Sequence, residues 1–301
     1  MPLNTLTPTS VDVPSSSRPI VHRTRGARHG PITRLMSPGD LGQALKPFVF
    51  LDLFEADPRM MAEGMGIHPH SGIATITVLT QGDLRFDDPD AGQGVIGYGG
   101  VEWMRAGGGV WHGKELSAGA STRIQGFQLW IALPPETENA PPESQYIPAE
   151  GMTAAGPAHV ILGQYEGVSS PVRAPAGVNY LLVRLRAGET WSYAPPAGHQ
   201  AAWLAVASGR LQASQTLSGG DMAVFAPSQE TITLSALGDD DAVFVLGSAV
   251  PHPHELHMGY YSVHTSAEAL VRGENRIDEL GRALAEAGDR RTSSGSTPVF
   301  R

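Results

Sequence analysis

Apolar residues in this chain come in short bursts. FVFLDLF (Phe48–Phe54), GIATITVLTQG (Gly72–Gly82), GVIGYGGVEW (Gly94–Trp103) and GFQLWIAL (Gly126–Leu133) are rich in β-branched and aromatic residues, and Gly or Pro bounds each of them. Their length suits a strand, and none keeps a 3.6-residue period long enough for a helix. A second set follows: AHVILGQY, VNYLLVRLRAGETWSY, QAAWLAVASGRLQA, MAVFAP, ETITLSAL and DAVFVLGSAV. With 36 glycines and 24 prolines among 301 residues, turns are frequent enough to fold such runs back on one another. The expected class is all-β.

Between the two sets lies ALPPETENAPPESQYIPAEG, rich in Pro and Glu and without periodicity, which reads as a linker near 134–150. The halves resemble each other. His70-SGIATITVLTQGDLRF parallels His199-QAAWLAVASGRLQA, and Gly99-Gly100 parallels Gly219-Gly220. Repeated strand–turn–strand units of this size suggest two antiparallel jelly-roll barrels from an internal duplication. Helical signals come late. Thr265-Ser-Ala-Glu268 fits a capping box, and Ile277, Leu280 and Leu284 share a face, so a helix is expected over about 275–288 with Glu279, Arg282 and Glu286 solvated. The expected boundaries are a disordered or extended arm (1–29), a first barrel (30–138), a linker (139–150), a second barrel plus helix (151–288) and a disordered tail (289–301).

The net charge of −9, with no basic stripe, excludes a chain built to neutralise phosphates, so no direct nucleic-acid binding is expected. The chain has no cysteine, which excludes disulfides, a thiolate nucleophile and Cys-based zinc sites. No apolar h-region follows the N-terminus, and no stretch approaches the roughly 20 apolar residues that span a bilayer. A cytoplasmic monomer without membrane contact is the expectation.

Three of the eleven histidines stand out. His68-Pro69-His70 on an extended segment would send both imidazoles to one face. His112 follows in AGGGVWHGKEL, where Gly107, Gly108 and Gly109 let the backbone turn sharply. Three imidazoles suit a divalent Fe, Zn, Cu or Ni ion and leave positions open, and Glu115 could add a carboxylate. The competing reading is a turn of solvated histidines. Elsewhere, His252-Pro253-His254 reads as a surface or interdomain loop, and His199 as a remnant in a metal-free second barrel. Trp103, Trp111 and Trp130 read as packing residues, while Met65, Phe86 and Trp111 could line a barrel mouth. Asp57, Asp87, Asp88 and Asp90 read as turn caps. No G-x-S-x-G elbow or phosphate loop is present.

In order, ITRLMSPGDLGQALKPFVFLDLFEA, HPHSGIATITVLTQGDLRFDD, GGVEWMRAGGGVWHGKEL and QGFQLWIALP resemble the pirin family of the cupin superfamily, most closely from about Gly30 to Tyr146. The resemblance implies a bicupin with one metal ion, Fe in the first place with Zn, Ni, Cu or Mn as alternatives, held in the N-terminal barrel by His68, His70 and His112. The family's fourth ligand is a Glu two residues after the third His, where this chain has Lys114. Either a local shift brings Glu115 in as ligand and catalytic base, or the carboxylate is lost. The family also carries a Glu where this chain has Ala74. Two functions follow from the resemblance: a quercetin 2,3-dioxygenase-like enzyme acting on flavonol- or catechol-like aromatics, or an iron- or redox-responsive partner of a regulatory protein. A scaffold with a decayed site is the third reading. An open apolar pocket above the histidines would favour catalysis.

Overall fold

The computed structural model describes residues 18–59, 66–88, 91–113, 115–287 and 299–300. Two seven-stranded antiparallel sheets dominate. The first runs, edge to edge, Glu143–Ile147, Val101–Arg105, Ile73–Gln81, Ile124–Ala132, Phe48–Ala56, Ile32–Met36 and Ala27–His29. The second runs Ile20–Thr24, Met222–Phe225, Ala201–Ser208, Ala242–Ala249, Val178–Leu185, Ala158–Leu162 and Ala154–Ala155. Position by position the two orders correspond, so Ile73–Gln81 and Ala201–Ser208, the strands after His70 and His199, occupy the same place in each half. Smaller sheets face them: a four-stranded one in the second half, and in the first the strands Leu84–Asp88, Gly92–Ile96 and Leu116–Ala118. These are jelly-roll-like pairs of facing sheets, not closed barrels.

Several segments differ from their sequence reading. GVIGYGGVEW breaks into two strands, Gly92–Ile96 and Val101–Arg105, around Gly99 at φ 86°. The stretch read as a linker carries Glu143–Ile147, which pairs with Val101–Arg105 because Gln145 and Tyr146 have partners to bury against. Within the arm, Ile20–Thr24 completes the second sheet against Met222–Phe225, anchored by Arg23 on the buried Asp221 carboxylate at 2.7 Å. In the tail, Val299–Phe300 pairs with Val110–His112. The helix, α1, spans Ala267–Glu286 and starts well before the expected position. Its N-cap is Ser266, whose hydroxyl accepts from the Ala269 amide, while Thr265 gives both its amide and hydroxyl hydrogens to Glu138. Gly273 obscured the early part of the helix in the sequence, since an interior glycine costs about 1 kcal/mol of helix propensity. The expected apolar face is present, with Ala269 and Gly273 extending it through Ile277, Leu280 and Leu284.

Strand alternation explains why the two halves differ inside. On one face of the first sheet, Leu51, Leu53, Ile76, Val78, Leu129 and Ile131 pack with Tyr180, Leu182, Trp203 and Val245 of the second, forming a shared apolar core. The other face of the second sheet, with Leu181, Leu204, Phe244 and Leu246, fills its own jelly roll with apolar side chains. The corresponding face of the first sheet has apolar clusters at its two ends, around Phe50 and Trp130 and around Phe54 and Leu79, with a polar row between them. Arg34, Asp52, Gln128, Thr77, Glu102 and Tyr146 are successive cross-strand partners, a polar row over six strands. Burying such groups is costly unless they are hydrogen-bonded, and this row sets the interior of the first half apart from that of the second. Among the described residues, no helix is long and apolar enough to cross a membrane.

Candidate metal centre

The strand His68–His70 pairs antiparallel with Val110–His112, with His68 opposite His112 and His70 opposite Val110. Alternation puts His68 and His70 on one face, and the cross-strand register brings His112 to the same place. The three rings stand with centroids 4.6, 4.9 and 5.0 Å apart, and one nitrogen from each lies within 4.8 Å of the others. The expected trio is therefore assembled.

Each imidazole is held by its Nδ1. His68 Nδ1 is 2.9 Å from the Gly66 carbonyl, His70 Nδ1 is 3.1 Å from the Tyr261 carbonyl, and His112 Nδ1 is 2.5 Å from Glu115 Oε1. Gly113, at φ 134°, lets the strand pass this close, because a Cβ there would lie 2.6 Å from the Gly66 carbonyl oxygen. A donating Nδ1–H leaves Nε2 as the coordinating atom, the tautomer that metal-binding histidines adopt when an oxygen orients them. His112 Nε2 is buried and has no hydrogen-bond partner. An orphaned ring nitrogen costs about 1–3 kcal/mol, and a metal ion is the partner this donor set fits.

Electrostatics keep two of the imidazoles neutral. Burial, reinforced by His112, lowers the His68 pKa to about 4, and burial with both neighbouring rings holds His70 well below its ordinary value. For His112, burial opposes the cation, but the Glu115 carboxylate prevails and the net shift is upward. Burial likewise works against an ionised Glu115, and His112 together with the Gly113 amide pulls its pKa down.

Glu115 thus engages the far side of the His112 ring, with its second oxygen accepting the Gly113 amide at 2.8 Å. A metal held by Nε2 would be bound through the opposite edge of this ring, with Glu115 orienting the imidazole through Nδ1. The residue read as ligand or base is engaged with the His112 ring and the Gly113 amide, and it clusters with Glu102 and His112 rather than with His68 and His70. Lys114 lies outside the described residues. Ala74 is not beside the histidines; it packs in the core between the two large sheets. Sequence reasoning missed Glu102, a buried carboxylate within 4.8 Å of the His112 and Glu115 ligand atoms. Burial first, and Glu115 second, raise its pKa to about 7, and the Tyr146 hydroxyl donates to it at 3.4 Å. An acid inside the apolar run V-E-W was the available signal.

An open cleft of about 840 Å³ lies against His68, lined by Phe50, Trp130, Tyr260 and Tyr261 with Asp52 and Gln128. Trp130 stacks on Phe50 at 4.0 Å and meets His70 edge-on at 4.9 Å. Of the mouth residues expected from sequence, Phe86 and Trp111 do not line this cleft. Phe86 stacks on Tyr146, and Trp111 donates to the Ile277 carbonyl beneath α1, while Met65 lies outside the described residues. Asp57 and Asp88 accept from the Arg59 and Ala91 amides as turn caps, and Asp90 lies outside the described residues. His199 bonds the Ser248 hydroxyl in the second half, and the His252–His254 segment contacts Lys46 across the two halves.

Two facing-sheet jelly rolls in tandem, with a histidine cluster confined to the first, define a bicupin. The Pirin sequence profile matches residues 30–131. A pirin-like protein of Caulobacter vibrioides is 31% identical over 230 residues, covering 74% of this chain and 82% of that one. A Pseudomonas aeruginosa protein bearing the name "Putative quercetin 2,3-dioxygenase" is 28% identical over 235 residues, with the same coverage. The crystal structure of a quercetin 2,3-dioxygenase from Acinetobacter baumannii superposes with a TM-score of 0.75 at 24% identity, over 88% of this chain and 98% of that one. The chain belongs to the pirin family.

Proposed function

We propose that this chain is a metal-dependent dioxygenase acting on flavonol- or catechol-like aromatics, with His68, His70 and His112 as the metal ligands. The carrying observation is that the three imidazoles are tied back through Nδ1 while an aromatic-lined cleft opens against His68. When bound, a divalent ion supplies Lewis acidity and a template for substrate and oxygen. The protein supplies the rest. Glu115 holds the His112 Nδ1 proton and makes the opposite nitrogen a stronger donor. Phe50, Trp130 and the two tyrosines suit planar rings, and Asp52 and Gln128 offer polar partners for ring hydroxyls. The open cleft favours this reading over a purely regulatory one, in which the site would be plugged.

The test is oxygen uptake with quercetin by untagged protein loaded in turn with Fe, Ni, Co, Mn, Cu and Zn. Metal-dependent uptake that His112→Ala abolishes supports the proposal. Uptake that is absent with every metal removes it.

A further inference from the structure

Next to His70 lies a buried polar chain that the proposed chemistry does not use. His264 Nε2 is 3.0 Å from Ser71 Oγ, Ser71 Oγ donates to Ser262 Oγ at 2.8 Å, and Ser262 Oγ donates to the Tyr260 carbonyl at 3.0 Å. The other nitrogen of His264 faces Glu138 Oε2 at 3.3 Å, and Glu138 is fixed by the amide and hydroxyl of Thr265. Ser71, Ser262, His264 and Glu138 are all buried.

The order Ser–His–Glu is that of a nucleophilic triad, yet this serine cannot attack a substrate. Ser71 is fully buried, and its hydroxyl hydrogen is committed to Ser262. Helix α1 seals it: a Cβ on Gly273 would lie 2.5 Å from both Ser71 Oγ and His264 Nε2. What the chain does reach is the Tyr260–Tyr261 turn. Tyr261 sits at φ 54°, a left-handed conformation costly for a residue with a Cβ, and its carbonyl holds His70 Nδ1. Ser71 also follows His70 directly, and its carbonyl accepts the Val263 amide. Both sides of His70 are therefore tied to one network that joins the two halves of the chain.

We propose that Ser71, Ser262, His264 and Glu138 form a latch that positions His70, so that the metal affinity of the first half is set by the C-terminal segment 260–273. These are positioning residues, and the inference rests on the reading of His68, His70 and His112 as metal ligands. Without the latch the Tyr261 carbonyl swings off Nδ1, and His70 loses both its tautomer and its aim. Losing such an outer partner lowers metal affinity about 10–100-fold.

Cobalt(II) is the probe, titrated into untagged full-length protein against a chelator, with its visible absorption recorded. Ser71→Ala, Ser262→Ala and His264→Ala should each weaken cobalt binding about 10–100-fold and shift its absorption bands. His264→Gln, whose amide can reach Ser71, should recover most of the affinity. Leu211→Ala, a cavity in the second half's core, serves as the control for lost stability and should leave affinity and spectrum unchanged. If His68→Ala loses cobalt while all latch variants match wild type, the latch is overturned and the metal centre stands. If latch variants and Leu211→Ala weaken binding alike with one common spectrum, the network is merely structural and the inference falls. Wild type that binds no cobalt, or His68→Ala that binds as wild type does, overturns the metal centre and the latch with it.

Discussion

Glu115 Oε1 stands 2.5 Å from His112 Nδ1, and both side chains are buried. A carboxylate there acts through the imidazole. Glu115→Gln should keep one metal per chain and lower its affinity by about 10–100-fold, read by chelator competition. A loss of metal as complete as that in His112→Ala would mean that Glu115 is itself a ligand.

Buried neutral histidines make the metal-free protein acid-sensitive. The unfolded chain takes up protons on His68 below about 6.5, whereas the folded chain waits until about 4. Stability contributed by this group is therefore full above pH 6.5 and falls between 6.5 and 4, by about 3 kcal/mol for a shift of this size. Urea unfolding of the apoprotein should show His68→Gln gaining on wild type as pH drops through that window. Parallel curves at all pH values would contradict the assigned environment.

Glu102 contributes with the opposite sign. Its folded pKa, about 7, lies above its unfolded value of 4.5, so its stabilising protonation is present below 4.5 and is lost as pH rises through 7. It partly masks the histidines. Glu102→Gln should remove the opposing slope, so that apoprotein stability climbs more steeply with pH between 4.5 and 7 than in wild type. An unchanged slope in urea melts would show that Glu102 is not held protonated by Glu115 and burial.

The pair His68 and His70 was legible from period-2 alternation alone, whereas His112, brought in by strand pairing across 44 positions, was legible only through the family resemblance. The central strands of both sheets were legible from their short apolar runs, whereas the edge strands Glu143–Ile147 and Ile20–Thr24 were not. What was not legible depends on register between distant segments. Glu115 could be placed near His112 from sequence, but only the Gly113 backbone decides that its carboxylate meets Nδ1. Glu102 joins the site through pairing with Thr77 and Tyr146, one of them 44 residues away. The Tyr261 carbonyl lies 191 positions from His70 and was beyond any motif. The early start of helix α1 was hidden because Gly273, a poor helix former, is required where the helix crosses Ser71 and His264.

The strand Ile20–Thr24 should depend on Asp221. This fully buried carboxylate takes Arg23, and its Oδ2 also accepts the Ser218 amide. Asp221→Ala removes charge-assisted bonds, each worth about 1.5–3 kcal/mol, discounted here because Arg23 is 39% exposed and regains water. A loss near the lower end of that range is expected in urea unfolding, together with faster amide exchange at residues 20–24. Unaltered exchange there would mean that the strand is held by its ladder alone.

Tyr260 offers the cleanest separation of substrate binding from folding. Its side chain is 65% exposed at the cleft, and its backbone amide is fixed by Glu274 Oε1 at 2.6 Å, so truncation leaves the turn in place. Surface truncations of this kind usually change stability by less than about 0.5 kcal/mol. An aromatic contact is worth about 0.5–1.5 kcal/mol, which corresponds to a roughly two- to tenfold loss of affinity for a planar polyphenol. Tyr260→Ala should therefore weaken quercetin binding by that factor in a fluorescence titration of the metal-loaded protein, with metal content and melting temperature held. Quercetin affinity equal to that of wild type would place the aromatic ligand away from Tyr260 and turn attention to the Phe50–Trp130 stack.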